Sequence, residues 1–336
     1  MNEILELTPS GLYCSSGDFY IDPWRPVKRA VITHAHADHA RPGSRKYLCA
    51  RDGESLLQHR LGHGANIASL GYGEVLTVNS TRISLHPAGH ILGSAQVKIE
   101  KDGFICVVSG DYKTDIDPTC TPLEPLKCHA FISECTFGLP VFRWPRPEQV
   151  IEEINSWWRS NREQQRTSIL FAYALGKAQR ILASLDPSIG PILTHGAVEK
   201  ITRSYRELGV PLPETRYIGD VERKNLPAGA LVIAPPSADN PVWMHRFPVR
   251  SRGFASGWMR IRGNRRRRSV DRGFVLSDHS DWDGLVETIA ASDAQSVMLT
   301  HGYATEMVRW LAGQGYEAEV VPTTFADEAE IDEDET

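Results

Sequence analysis

Thr33-His34-Ala35-His36-Ala37-Asp38-His39 places three imidazoles and a carboxylate within six positions. The stretch follows Arg29-Ala30-Val31-Ile32-Thr33, a β-branched apolar run of strand length, so it reads as a loop at a strand end. Alternate residues of an extended loop point in opposite directions, which lets one short segment serve two cations. Neutral imidazole nitrogen and carboxylate oxygen suit zinc, manganese or iron alike, and the ligand types alone do not choose the metal. The bland reading is a chance histidine cluster, but buried histidines are seldom so crowded without a cation among them.

Further ligand types recur where later apolar runs end. His90 stands in Pro87-Ala88-Gly89-His90-Ile91-Leu92-Gly93-Ser94, Asp111 in Ser109-Gly110-Asp111-Tyr112, and His301 in Leu299-Thr300-His301-Gly302. Singly, each has an ordinary explanation: an Asp after Gly closes turns, and a lone His is more often structural. Added to the first cluster, they supply enough ligands for two coordination spheres.

The surrounding pattern changes part-way along the chain. Up to about residue 140, strand-length runs dominate: Glu74–Val78, Arg82–His86, Ala95–Ile99 and Phe104–Val108, with helical character over Glu54–Gly62. From about Glu148, helix and strand alternate. Gln149–Ser160 and Lys177–Leu185 read as helices and Ser168–Ala172 as a buried strand, the alternation of an α/β layer with parallel strands. After Arg265-Arg266-Arg267-Arg268, the strands Gly273–Ser277 and Ser296–Thr300 are read as a return to the first pattern. The expectation is a sheet-rich domain interrupted by an α/β insertion; no internal repeat is visible.

With these motifs in view, the chain resembles the β-CASP branch of the metallo-β-lactamase superfamily, which includes Artemis-type DNA nucleases, ribonuclease J and the endonuclease of pre-mRNA 3′ processing. Ser133-Glu134-Cys135-Thr136-Phe137-Gly138 is similar to the branch's acidic motif, Ala174-Leu175-Gly176-Lys177-Ala178-Gln179 to the start of its inserted domain, and Ser277-Asp278-His279-Ser280-Asp281 to its second His motif. The resemblance implies an αββα metallo-β-lactamase sandwich over 1–140 and 262–326, an inserted α/β β-CASP domain over 141–261, and an acidic tail over 327–336. It implies two divalent metal ions, zinc or manganese. His34, His36, His90 and Asp111 would hold one, while Asp38, His39, His301 and a bridging Asp111 would hold the other. Asp22, closing Phe19-Tyr20-Ile21-Asp22, matches the family's early supporting Asp, although Pro23 departs from the usual glycine-containing context.

The same resemblance implies phosphodiester hydrolysis of nucleic acid, with Asp38 and Asp111 at the reacting centre. His279 would be the general acid, its imidazole held by Glu134. Gly176 and Lys177 open a predicted helix whose backbone N–H groups and ammonium suit a phosphate, with a plain helix start as the equal alternative. Arg260, Arg262 and Arg265 are candidate backbone contacts, although an arginine run is often only a solvated loop. Trp157 and Trp158 adjoin on a helix, where core packing competes with base stacking. In size and motif wording the chain is similar to the compact bacterial family of DNA ligase-associated exonucleases. That implies DNA repair, DNA over RNA, 5′ polarity, and DNA ligase and helicase as partners. One residue points elsewhere: His301 stands where Artemis-like enzymes have an apolar residue and RNA-processing members have His. A small-molecule thioester or lactam hydrolase would lack the insertion and the His279 motif, and a binding-only subunit would have lost ligands.

Charge and composition fit this reading. The net charge is −5, but Asp327, Glu328, Glu330, Asp332, Glu333, Asp334 and Glu335 contribute seven negative charges with no Lys or Arg among them; without them the body is +2. No apolar run is long enough to span a bilayer, and the opening residues lack the features of a secretory signal, so a cytoplasmic, membrane-free location is expected. The six cysteines form no Cys-x-x-Cys pair and are expected to be reduced and mostly buried.

Overall fold

The computed structural model describes residues 4–263, 268 and 270–323. Arg265 and the acidic tail over 327–336 lie outside the described residues, so the expectations placed on them have no structural counterpart. The chain divides into two compact units, one running up to Arg143 and resuming at His279, the other spanning Trp144–Asp278.

The first unit holds two facing sheets. One has the order β1-β2-β3-β4-β5-β6, built from Glu6–Thr8, Gly11–Cys14, Phe19–Ile21, Ala30–Val31, Tyr47–Ala50 and Ile67–Leu70. The other contains β7 (Val75–Val78), β8 (Thr81–Pro87), β9 (Ala95–Lys101), β10 (Phe104–Val108), β11 (Ala130–Glu134), β18 (Ser296–Thr300) and β19 (Glu317–Val320), in the order β19-β18-β11-β10-β9-β8-β7. Successive side chains of a strand face opposite sides. Cys106, Val108, Ile132 and Met298 therefore enter the core between the sheets, beside Ile21 and Val31 of the facing sheet. Val107, Phe131, Val297 and Leu299 point outward. They pack there under α6 (Trp282–Ser292) and α7 (Ala304–Gly313), through Leu285, Ile289, Met307 and Leu311. On the first sheet, α1 (Glu54–Leu61) packs against β5 and β6 and buries Leu56 and Leu57. This is the expected αββα sandwich.

The second unit is an α/β layer around β14-β13-β15-β12-β16-β17, in which every pairing is parallel. Its strands are β12 (Thr167–Phe171), β13 (Ile192–Thr194), β14 (Arg216–Tyr217), β15 (Leu231–Ala234), β16 (Arg250–Ala255) and β17 (Arg272–Phe274), with helices α2 (Pro147–Glu163), α3 (Lys177–Ser184), α4 (Gly196–Glu207) and α5 (Pro241–Met244). The sequence reading ended this insertion at 261 and gave Gly273–Ser277 to the sandwich. Instead, Arg272–Phe274 adds an edge strand beside β16, and the chain re-enters the first unit only at His279. The two adjoining tryptophans of α2 are both buried, with Trp157 Nε1–H donating to Ser251 Oγ (3.1 Å) and Trp158 Nε1–H to Gly229 O (2.9 Å), so neither offers a stacking face.

Candidate metal centre

The ligand residues come together because of strand direction. β10, β11 and β18 run parallel to one another, and β8 is related to β10 through the intervening antiparallel β9. The C-terminal ends of all four lie at one edge, where ligands of open sheets characteristically bind. Each end carries a candidate: His90 follows β8, Asp111 follows β10, Glu134 closes β11 and His301 follows β18. The first cluster arrives from the facing sheet after β4, and Ala95 N–H donates to Thr33 O (2.8 Å) across the gap. Gly110 (φ +56°) is required for this approach, because a Cβ there would lie 2.6 Å from Thr33 Cβ.

Donor atoms converge in two groups that share one residue. His36 Nδ1 lies 3.0 Å from His34 Nε2 and 3.1 Å from His90 Nε2. Asp111 Oδ2 lies 3.4 Å from His34 Nε2 and 3.7 Å from His90 Nε2. On the other side, His39 Nε2 is 3.4 Å from Asp111 Oδ1 and 3.4 Å from Asp38 Oδ2. Asp38, His39 and His301 bring donor atoms within 4.8 Å of one another, as do His34, His36, His90 and Asp111. Two donors each 2.1 Å from one tetrahedral cation would stand about 3.4 Å apart, so these spacings fit cations between them. Asp111 turns one oxygen to each group, as a bridging carboxylate does.

Buried chemistry supports the same fit. His39 Nε2 is buried without a hydrogen bond although it faces two carboxylates. Burial is the strongest influence on His34 and, with His39 beside it, holds the imidazole well below its ordinary range, in the neutral form that ligates. Burial also opposes charge on His39, but Asp111, Asp38 and Asp22 outweigh it and raise the imidazole well above its ordinary range. Asp111 is likewise opposed by burial and is nevertheless pulled well below the usual carboxylate range by His39 and His34. A pocket that favours a proton on His39 beside ionised carboxylates is one that favours positive charge.

The supporting groups fix which nitrogen faces inward. Asp22, itself at φ +41°, accepts from Thr33 N–H (2.8 Å), Thr33 Oγ1–H (2.6 Å) and His39 Nδ1–H (2.7 Å). His39 Nε2 is thereby left as the nitrogen that faces Asp38 and Asp111. Thr300 Oγ1 stands 2.9 Å from His301 Nδ1, and both His301 (φ +61°) and Gly302 (φ +54°) are left-handed. Glu134 is 2 % exposed and lies 2.8 and 3.0 Å from His279 Nδ1 through its two oxygens. It also accepts from Tyr112 N–H (2.9 Å) and Thr136 N–H (3.3 Å). Asp111, Glu134 and His279 bring ligand atoms within 4.8 Å of one another, and the His279 ring centroid is 4.7 Å from that of His90.

The candidate substrate contacts belong to the second unit. Gly176 (φ +91°) precedes α3, and its N–H is capped by Gln179 Oε1 (2.9 Å). Lys177 is buried, with Nζ 4.4 Å from the Tyr173 ring centroid and 3.4 Å from Asp278 Oδ2, rather than extended into solvent. Arg260 and Arg262 are exposed. Sequence reasoning quoted Thr33 without a role and passed over Lys113 and Asp117; their signal is a buried hydrogen-bond network with no motif of its own.

No family model matches the chain. A protein named probable DNA ligase from Opitutus terrae is 32 % identical over 312 residues, 92 % of this chain but 30 % of that protein. The RNase J-like protein of Methanocaldococcus jannaschii is 27 % identical over 220 residues, 54 % of this chain and 50 % of the relative. Endoribonuclease YSH1 of Yarrowia lipolytica is 31 % identical over 122 residues, 36 % of this chain and 14 % of the relative. The chain has a metallo-β-lactamase/β-CASP-type fold. It spans half or less of the length of each of these relatives. The β-CASP assignment agrees with the αββα sandwich, the parallel α/β layer and the two donor groups at one sheet edge. No helix among the described residues is long and apolar enough to cross a membrane.

Proposed function

We propose that the chain is a two-metal-dependent phosphodiesterase that degrades DNA from the 5′ end in the course of DNA repair. The observation that carries this reading is Asp111, whose two oxygens face separate histidine groups at 3.4 Å beside a buried His279–Glu134 pair. Bound divalent cations would supply an activated water and charge neutralisation for the phosphate, so no side-chain nucleophile is needed. His34, His36, His90 and Asp111 would hold one, and Asp38, His39, His301 and Asp111 the other. Glu134 keeps the proton of His279 on Nδ1 and aims Nε2 away from itself. His279 Nε2, once protonated, is then placed to give a proton to the leaving oxygen. Trp144–Asp278 corresponds in this reading to the inserted β-CASP domain, whose Gly176, Lys177, Arg260 and Arg262 are candidate substrate contacts.

Likeness across 92 % of this chain to part of a protein named probable DNA ligase supports DNA, and a ligase as a working partner; a helicase beside it rests on the family resemblance alone. His301 and the relatives named endoribonuclease and RNase J-like favour a second reading, RNA cleavage by the same site. A cytoplasmic setting accords with six free cysteines, five of them buried. End-labelled single-stranded DNA and RNA of one sequence, supplied with manganese or zinc, separate the readings. Loss of DNA from its 5′ end, abolished in Asp111→Ala, is the expected result; preferred RNA cleavage would replace it with the second reading.

A further inference from the structure

The segment Asp111-Tyr112-Lys113 joins several of the loops that build the centre. Tyr112 N–H donates to Glu134, Tyr112 O accepts from Ser280 N–H (2.8 Å), and Lys113 N–H donates to Ala88 O (3.1 Å). The Lys113 side chain is 1 % exposed, and its Nζ donates to Asp117 Oδ2 (2.6 Å) and to the backbone carbonyl of His90 (3.2 Å). Asp117 is also buried, and its other oxygen accepts from Thr119 N–H (2.9 Å) and Oγ1–H (2.6 Å). The two loops abut closely: at Gly89 (φ +74°) a Cβ would lie 2.5 Å from Lys113 O.

Placing an ammonium and a carboxylate together in the interior carries a desolvation cost that apolar side chains would avoid. The pair adjoins the candidate metal ligands. What it grips is the main chain of one of them. We infer that Lys113, locked by Asp117, is a positioning residue for the His34/His36/His90 group, setting the His90 imidazole against Asp111. The inference rests on the metal-centre reading and adds to it a selective effect. Lys113 acts on the group that contains His90, while Asp38, His39 and His301 hang from other loops. A strut that served folding alone would weaken the protein without discriminating between the two groups.

The test uses the metal-stripped full chain and its Lys113→Met/Asp117→Asn double variant, which removes both charges together and keeps an acceptor for Thr119. Each is titrated with cobalt(II) alone, followed by visible absorption and by competition with a chelator. The wild type is expected to bind two equivalents. The variant should keep one affinity and lose about 10–100-fold in the other, the size of effect seen when an outer partner of a metal ligand is removed. Two unchanged dissociation constants, or an equal weakening of both, would overturn the inference. Should the double variant fail to fold, Asp117→Asn alone carries the test: a smaller loss confined to one equivalent supports the role, and none overturns it. A wild-type chain that takes up no cobalt would instead overturn the metal-centre reading, and this inference with it.

Discussion

Asp22 stands behind the candidate centre and braces one of its histidines. It holds two donors of Thr33 and the Nδ1–H of His39, so Asp22→Ala frees the imidazole to rotate and leaves partly buried donors unpaired. The expected cost is about 10–100-fold in affinity for one of two metal equivalents, measured by chelator competition. The cysteines give a second residue-scale prediction. Burial pushes the thiols of Cys49 and Cys128 up to about 12, and the thiolate is the reactive form. At pH 8 both should resist iodoacetamide in the native protein and react fully after denaturation, as read by peptide mass spectrometry. The candidate ligands stand out in sequence because metal chemistry demands particular residue types at close spacing, and the fold brings their donor atoms within 4.8 Å of one another in groups. Lys113, Asp117 and the anchoring role of Thr33 do not stand out, since a lysine or threonine in sequence says nothing about the carbonyl or carboxylate that long-range folding brings to it. Lys177 shows the converse: a residue whose sequence reading divides equally between a phosphate contact and a plain helix start is buried against Tyr173 and Asp278.

Among the elements, the decisive feature is that four strands with a common direction end at one edge and hand their next residues to one site. Long runs such as Phe104–Val108 and Ser296–Thr300 were legible because β-branched apolar stretches of strand length have few alternatives. β14, by contrast, is only Arg216–Tyr217, and β13 only Ile192–Thr194. Strands so short have no period to detect, and β17 joined the second unit because β16 offered an edge, which no local pattern announces. The turn after β18, which carries His301, is tightly constrained. A Cβ on Gly302 would lie 2.4 Å from Cys135 O and 2.4 Å from Thr136 Cα, in a left-handed conformation. Gly302→Ala should therefore destabilise the protein by about 2–4 kcal/mol in chemical denaturation, from overpacking and backbone strain together. It should also weaken the metal equivalent that His301 serves.

At the scale of the whole molecule, the two units have separate cores, and the candidate donor groups all belong to the first. Binding that favours the folded form protects the parts it touches. Adding manganese or zinc to stripped protein should slow amide exchange at residues 33–39, 88–94, 109–113 and 299–302. The interior strands β12 and β15 of the second unit should be unchanged. Uniform slowing throughout would contradict a centre confined to the first unit. The αββα sandwich and the inserted parallel layer were legible from the change of pattern near residue 148, whereas the later limit of the insertion depended on a tertiary strand pairing.

On the proposed reading, two cations sharing Asp111 perform phosphodiester hydrolysis. That reading is tested most directly by titrating manganese into stripped wild-type protein while recording both bound metal and cleavage of labelled single-stranded DNA and RNA. Cleavage of one polymer should appear as the second equivalent binds, and Asp111→Ala should neither bind two equivalents nor cleave. Cleavage that persists in chelator, or two bound equivalents with both polymers intact, would contradict it.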